Sequence, residues 1–102
     1  MTVLIDPPRW PAHGRVWSHL VSDVSYAELH AFAAAHDIPR RGFDRDHYDV
    51  PAERHDDLVA DGALPVESRE LLARLIAAGL RQRRAAGTVG RPPSVDKPAA
   101  ND

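Results

Sequence analysis

Histidine and aspartate recur through this chain at spacings that chemistry can use. Six histidines stand in 102 residues, and four have an acid close by: His19 with Asp23, His30 with Glu28, His47 with Asp49 and His55 with Asp56. Side chains two apart share a face only in an extended strand, whereas side chains four apart share one on a helix. His47 and Asp49 therefore meet if the stretch around Tyr48 is extended, and His19 and Asp23 meet in either conformation. A neutral imidazole with one or two carboxylates is a donor set that divalent zinc, manganese or iron accepts where no thiolate is offered, and this chain has no cysteine. Asp6 joins the group because it closes the first apolar run, and in α/β sheets ligands gather beyond the carboxyl ends of strands. The expectation is a polar pocket at one sheet edge drawing on Asp6, His19, Asp23, His47 and Asp49, with His19, His47 and Asp49 as the metal ligands.

Positioning those residues requires particular elements. Val3-Leu4-Ile5 predicts a strand, ended by Asp6-Pro7-Pro8 where two prolines remove backbone donors. Arg9 to Gly14 reads as a loop, with Trp10-Pro11 folding back over apolar surface. Arg15 to Asp23 fits a strand with Trp17, His19 and Val21 on one face, or a helix; the strand is preferred. Ser25-Tyr26-Ala27-Glu28 matches a capping box and starts a helix running to about His36, with Tyr26, Leu29, Phe32 and Ala33 as its apolar stripe. Asp37-Ile38-Pro39 ends it. Val50-Pro51 is expected to start a second helix, anchored by Leu58 and Val59 and stopped at Gly62. A short strand, Ala63 to Val66, follows, and then Ser68 caps a third helix that buries Leu71, Leu72, Leu75, Ile76 and Leu80. Strands alternating with helices give a small single α/β domain over residues 1–85, a short sheet flanked by about three helices, followed by a disordered tail over 86–102.

Each site residue also has an account that needs no ligand. Asp49 can cap a helix near Pro51, Asp23 can hold the turn before Ser25, and His19 can be a hydrogen-bonded, half-buried side chain. His30 borders an apolar helical stripe, and Tyr48 alternates to the face opposite His47, where packing is its task. Asp44, Arg45 and Asp46 read as solvated turn residues. His13, His36 and His55 fall in loops or on exposed faces. Arg40-Arg41 before Gly42 offers bidentate donors to a phosphate, although neighbours in an extended segment point apart. Arg81, Arg83 and Arg84 suit the C-terminal end of a helix. No GxGxxG, Walker, HExxH or GxSxG pattern occurs, so dinucleotide, P-loop, zincin and hydrolase-elbow chemistry have no support.

Composition sets the outer bounds. A chain of 102 residues suits one domain with a thin core. No apolar run approaches the roughly 18–20 residues needed to cross a bilayer. With 13 basic against 15 acidic residues, no global field favours nucleic acid or anionic membrane. Met1-Thr2-Val3-Leu4-Ile5-Asp6 lacks the pattern of a secretory signal, which favours the cytoplasm. The bias toward Ala, Arg, Asp and Pro is that of a GC-rich bacterial genome.

Several pieces taken in order resemble a known family: Gly14-Arg15, Trp17-Ser18-His19-Leu20, Ser22-Asp23, Glu28-Leu29-His30-Ala31-Phe32-Ala33, His47-Tyr48-Asp49-Val50 and Gly62-Ala63. From about Val3 to Leu75 the chain is similar to domain of unknown function 4031, a family of short bacterial and phage-borne domains. The resemblance implies that His19, Asp23, His30 and the His47-Tyr48-Asp49 triplet are motif positions, and it brings no activity. Members often carry cysteine where this chain has Ser18; a cysteine ligand there would mean a weaker metal site here. The spacer before the triplet also looks shorter than in phage-like members.

Two functions remain side by side. One is a His/Asp pocket for a divalent metal ion or a phosphate-bearing small ligand, hydrolytic in its fullest form. The other is a non-catalytic protein-interaction or self-association module using Trp10 and Trp17 as anchors. The separation of the His19 and His47 imidazoles discriminates, because a shared ion requires about 5 Å or less.

Overall fold

Val3, Leu4 and Ile5 are all buried, a pattern that a strand covered on both faces demands. They form β1 (Val3–Ile5), followed by β2 (Trp10–Ala12), β3 (Arg15–Ser22), α1 (Tyr26–Ala35), β4 (Phe43–Asp44), β5 (His47–Pro51), α2 (His55–Ala60), β6 (Leu64–Pro65) and α3 (Ser68–Ala77). The computed structural model describes residues 2–82; the tail expected over 86–102 lies outside them. The chain is a small α/β domain with a mixed sheet and three helices, as its alternating pattern predicts.

The sheet runs β4-β5-β3-β1-β6, with β2 also paired to β3. Among the described residues β1 and β6 pair in parallel and the other pairs are antiparallel. Strand alternation divides the buried residues into two cores. Val3, Ile5, Leu20, Tyr48 and Val50 face α1 and α2, packing with Leu29, Ala33 and Leu58. Leu4 and Val21 face the other way, onto Leu71 and Leu75 of α3. With α3 the one helix packed on this second face among the described residues, part of the face stays open, and His19, His47 and Asp49 project there.

Several local expectations need correction. Residues Trp10–Ala12 form a strand, not a loop: His13 (φ 53°) and Gly14 (φ 73°) both adopt positive φ, the two-residue turn that matches strand twist. Pro11 is tolerated because β2 lies at a sheet edge. The second helix starts later than Val50-Pro51, since both residues belong to β5 and a 3-10 turn over Ala52–Arg54 precedes α2. Ser25 does cap α1, accepting from the Glu28 N–H, but the Glu28 carboxylate accepts from the Ser22 hydroxyl, which itself receives the Ser25 N–H. Glu67, not Ser68, occupies the cap of α3, and its side chain makes no cap bond. Leu72 and Ile76 are 39% and 55% exposed, so the buried stripe of α3 is narrower than expected.

Candidate functional site

The cluster follows from strand register. Antiparallel pairing sets His19 of β3 directly opposite Asp49 of β5, and alternation returns His47, two residues earlier, to the same face. The His19 and His47 rings stand 4.9 Å apart between centroids, edge to face. His19, His47 and Asp49 each offer a donor atom, and these atoms all lie within 4.8 Å of one another.

Behind each imidazole sits a fully buried carboxylate. Asp6, where β1 leaves the ladder, accepts the His19 Nδ1 proton at 2.9 Å, the His19 backbone N–H at 2.6 Å, the Ser68 hydroxyl at 2.8 Å and the Trp10 indole N–H at 3.1 Å. Burial raises its pKa, yet these donors outweigh burial and hold the carboxyl below its usual range. With Nδ1 engaged, Nε2 is the free nitrogen of His19.

Asp46 does the same for His47. It is not a solvated turn residue: its side chain is wholly buried and accepts from His47 Nδ1 and from the Gln82 backbone N–H, both at 2.8 Å, with Arg81 at 3.5 Å. A tight turn makes this possible. The Asp46 N–H bonds the Asp44 carbonyl at 2.6 Å across Arg45, whose φ is 61°. That three-residue turn is rare for a residue with a side chain, and it swings the carboxylate back beneath His47. Burial pushes the Asp46 pKa up, but His47, Gln82 and Arg81 bring it below normal.

His47 also reaches Asp49 Oδ1 from Nε2 at 3.1 Å. Burial disfavours its cation, but hydrogen bonds and charge from Asp46 and Asp49 prevail and raise its pKa to about 9. Both ring nitrogens thus carry protons in the free chain, and an ion binding at Nε2 must displace one of them.

Other residues singled out from sequence go elsewhere. Asp23 accepts the Thr2 N–H at 3.1 Å and faces Arg74 at 3.8 Å, away from the histidine pair. His30 and Tyr48 bond each other at 2.7 Å on the α1 side of the sheet; burial lowers the first pKa and raises the second. Asp49 carries no helix cap, since β5 continues past it. Ser18 alternates to the face opposite His19 and is fully buried, so a cysteine there would pack in the core and not bind an ion with His19. Arg40 stacks over Phe43, while Arg41 lines a separate cavity with Trp17 and Asp49. Trp10 and Ser68 were missed as site residues; tertiary contact alone brings them to Asp6. Asp46 had one local signal, a carboxylate directly preceding a histidine at a hairpin turn.

A family model described as protein of unknown function (DUF4031) matches residues 3–78. The chain belongs to that family. No curated protein and no solved structure matches it. For this DUF4031 domain, then, the geometry of the site itself must carry any functional reading. Among the described residues no helix is long and apolar enough to cross a membrane.

Proposed function

We propose that this DUF4031 domain binds one divalent transition-metal ion through His19 Nε2, His47 Nε2 and the Asp49 carboxylate. The observation that carries this reading is the pairing of both histidines with buried aspartates. Metal-bound histidines donate their second ring N–H to a carboxylate, which fixes the tautomer and strengthens the donor. Asp6 and Asp46 supply that partner to His19 and His47 at 2.9 and 2.8 Å. A hydrogen-bonded structural histidine needs one partner; two such pairs facing a third donor are the arrangement an ion uses. Three protein donors also leave a four-coordinate ion one open position, the condition for activating water or accepting an anionic group. Metal-assisted hydrolysis is the reaction class that follows.

The alternative, an interaction surface anchored by Trp10 and Trp17, has less support. Trp10 is 43% exposed, but its N–H is spent on Asp6 and its ring stands 4.9 Å from His19. That exposure belongs to the wall of the pocket.

Thermal melting of the chelator-stripped full chain with zinc, manganese and nickel tests the proposal. Ion at a hundred times its dissociation constant stabilises the fold by about 2.7 kcal/mol, a rise on the order of 10–20 °C for a domain of this size. His19→Ala and Asp49→Asn each remove most of the rise. Unchanged melting temperatures at excess of all three ions would sink it.

A further inference from the structure

Beside the histidine pair lies a cavity of about 510 Å³, a volume suited to a small organic ligand. Its lining is mixed: Trp10, Val21 and Leu71 supply apolar surface, and Arg45, Arg69 and Arg81 line it together with His19 and His47. The state of Arg45 is unusual. Among the described residues its Nε and Nη1 are buried without any hydrogen-bond partner, and the Asp44 carboxylate, 3.8 Å from Nε, is beyond hydrogen-bond reach. Leaving guanidinium donors buried and unused costs free energy, and the backbone at Arg45 is itself held at positive φ. Donors arranged in this way wait for an acceptor. α3 starts at the same wall, and no side chain caps its first turn. The charge has a definite sense: three guanidiniums balance the carboxylates of Asp6, Asp46 and Asp49, so the double charge of a bound ion stays uncompensated.

We propose that this cavity binds a small phosphomonoester, its phosphoryl group held by Arg45, Arg69 and Arg81 beside the histidine pair and its organic part against Trp10, Val21 and Leu71. Guanidinium forks match phosphoryl oxygens in geometry as well as charge, and the ion's open position adds one further contact. The inference deepens the metal-centre reading and rests on it for that last contact; the arginine cluster stands apart from it.

Calorimetric titration with phenyl phosphate, inorganic phosphate and phenol tests it. Two preparations of the full chain are used, one chelator-stripped and one loaded with a single equivalent of zinc and dialysed. Phenyl phosphate should bind, more tightly with zinc, and phenol should not. Arg45→Gln and Arg69→Gln should each weaken phenyl phosphate about tenfold or more, the worth of a hydrogen bond to a charged group. Arg69 is exposed, so its variant is expected to fold even if Arg45→Gln does not. No binding of phenyl phosphate at millimolar concentration overturns the proposal, as does binding that neither variant weakens. Inorganic phosphate binding as tightly as phenyl phosphate overturns the apolar half of it. If zinc binds and phenyl phosphate does not, this inference falls and the metal centre stands. If zinc fails to bind while phenyl phosphate still depends on the arginines, the metal centre falls and this inference stands.

Discussion

Asp46→Asn in the metal-free chain separates a working arrangement of charges from an incidental one. His47 carries two carboxylate partners that, against the opposing effect of burial, raise its pKa to about 9. An ordinary histidine titrates near 6.5, so the displacement corresponds to about 3 kcal/mol of folding stability. A raised folded-state pKa gives stability that is complete below about 6.5 and is lost as pH rises through 9. The wild-type melting temperature should therefore fall across that window in chelator. His30 does not obscure it, because its pKa is lowered, by burial and then by Arg40, and it acts below the window. Asparagine keeps an acceptor for Nδ1 but removes one of the two charges, and it also turns an NH2 toward the Gln82 N–H, a further loss that does not depend on pH. If Asp46 and Asp49 share the effect, the lost charge removes on the order of 1–2 kcal/mol, a drop on the order of 5–15 °C at pH 6 for a domain of this size. The fall between pH 6.5 and 9 should shrink to roughly half. Calorimetric melts at half-unit pH steps measure both. A wild-type melting temperature level from pH 6.5 to 9, or a variant that falls as steeply, refutes the account of His47.

Other perturbations test other parts of the structure. Ser18→Ala should raise stability by about 1 kcal/mol in denaturant melts, because the Ser18 hydroxyl is buried without a partner among the described residues. Ser68→Ala removes one donor from a buried carboxylate and should cost about 1–2 kcal/mol, with a rise in the pKa of Asp6 detectable by carboxyl NMR. Leu75→Ala should cost about 2–5 kcal/mol and Ile76→Ala under about 1, since Leu75 is 2% and Ile76 55% exposed. Equal losses would mean that α3 presents a different face to the sheet.

Much of the fold was legible where one local rule acts alone. The capping serine of α1, the apolar run of β1 and the glycine ending α2 are each readable within a few residues, and each element lies close to where those signals put it. Reading failed where a side chain's role depends on a distant strand. Pro11 reads as a loop residue until β3 is known to pair on its other side. Ser68 reads as a helix cap until Asp6 arrives to take its hydroxyl across 62 positions of sequence. The histidine pair sits between these cases. Alternation alone links His47 to Asp49, but which residue lies opposite Asp49 is a matter of register, and nothing local specifies that β3 and β5 are neighbours. Asp46 was misread because a turn between short strands is ordinarily solvated; here the segment following α3 closes over it with Gln82 and Arg81.

The two buried aspartates bear most heavily on why the site exists. An ionised carboxylate taken from water is costly unless fully paired, and apolar residues of similar size would often serve stability as well or better. This domain buries two such groups completely within a core too small to absorb such costs easily. Asp6 alone gathers donors from two strands, β2 and β3, and from the start of α3. The gathered bonds also fix something that apolar packing would not: the tautomer of His19 and the ring orientation of both histidines. Fixing tautomers has no value to a core. For His19 it has value in presenting an unprotonated Nε2, at a defined place, to something outside the chain. The same logic extends to Arg45, which lines the cavity and whose buried Nε and Nη1 find no hydrogen-bond acceptor among the described residues. Well-packed apolar residues would serve stability as well as these features do, whereas Asp6→Asn or Asp46→Asn, each leaving part of its network unpaired, should cost stability and also lower ion affinity about 10–100-fold.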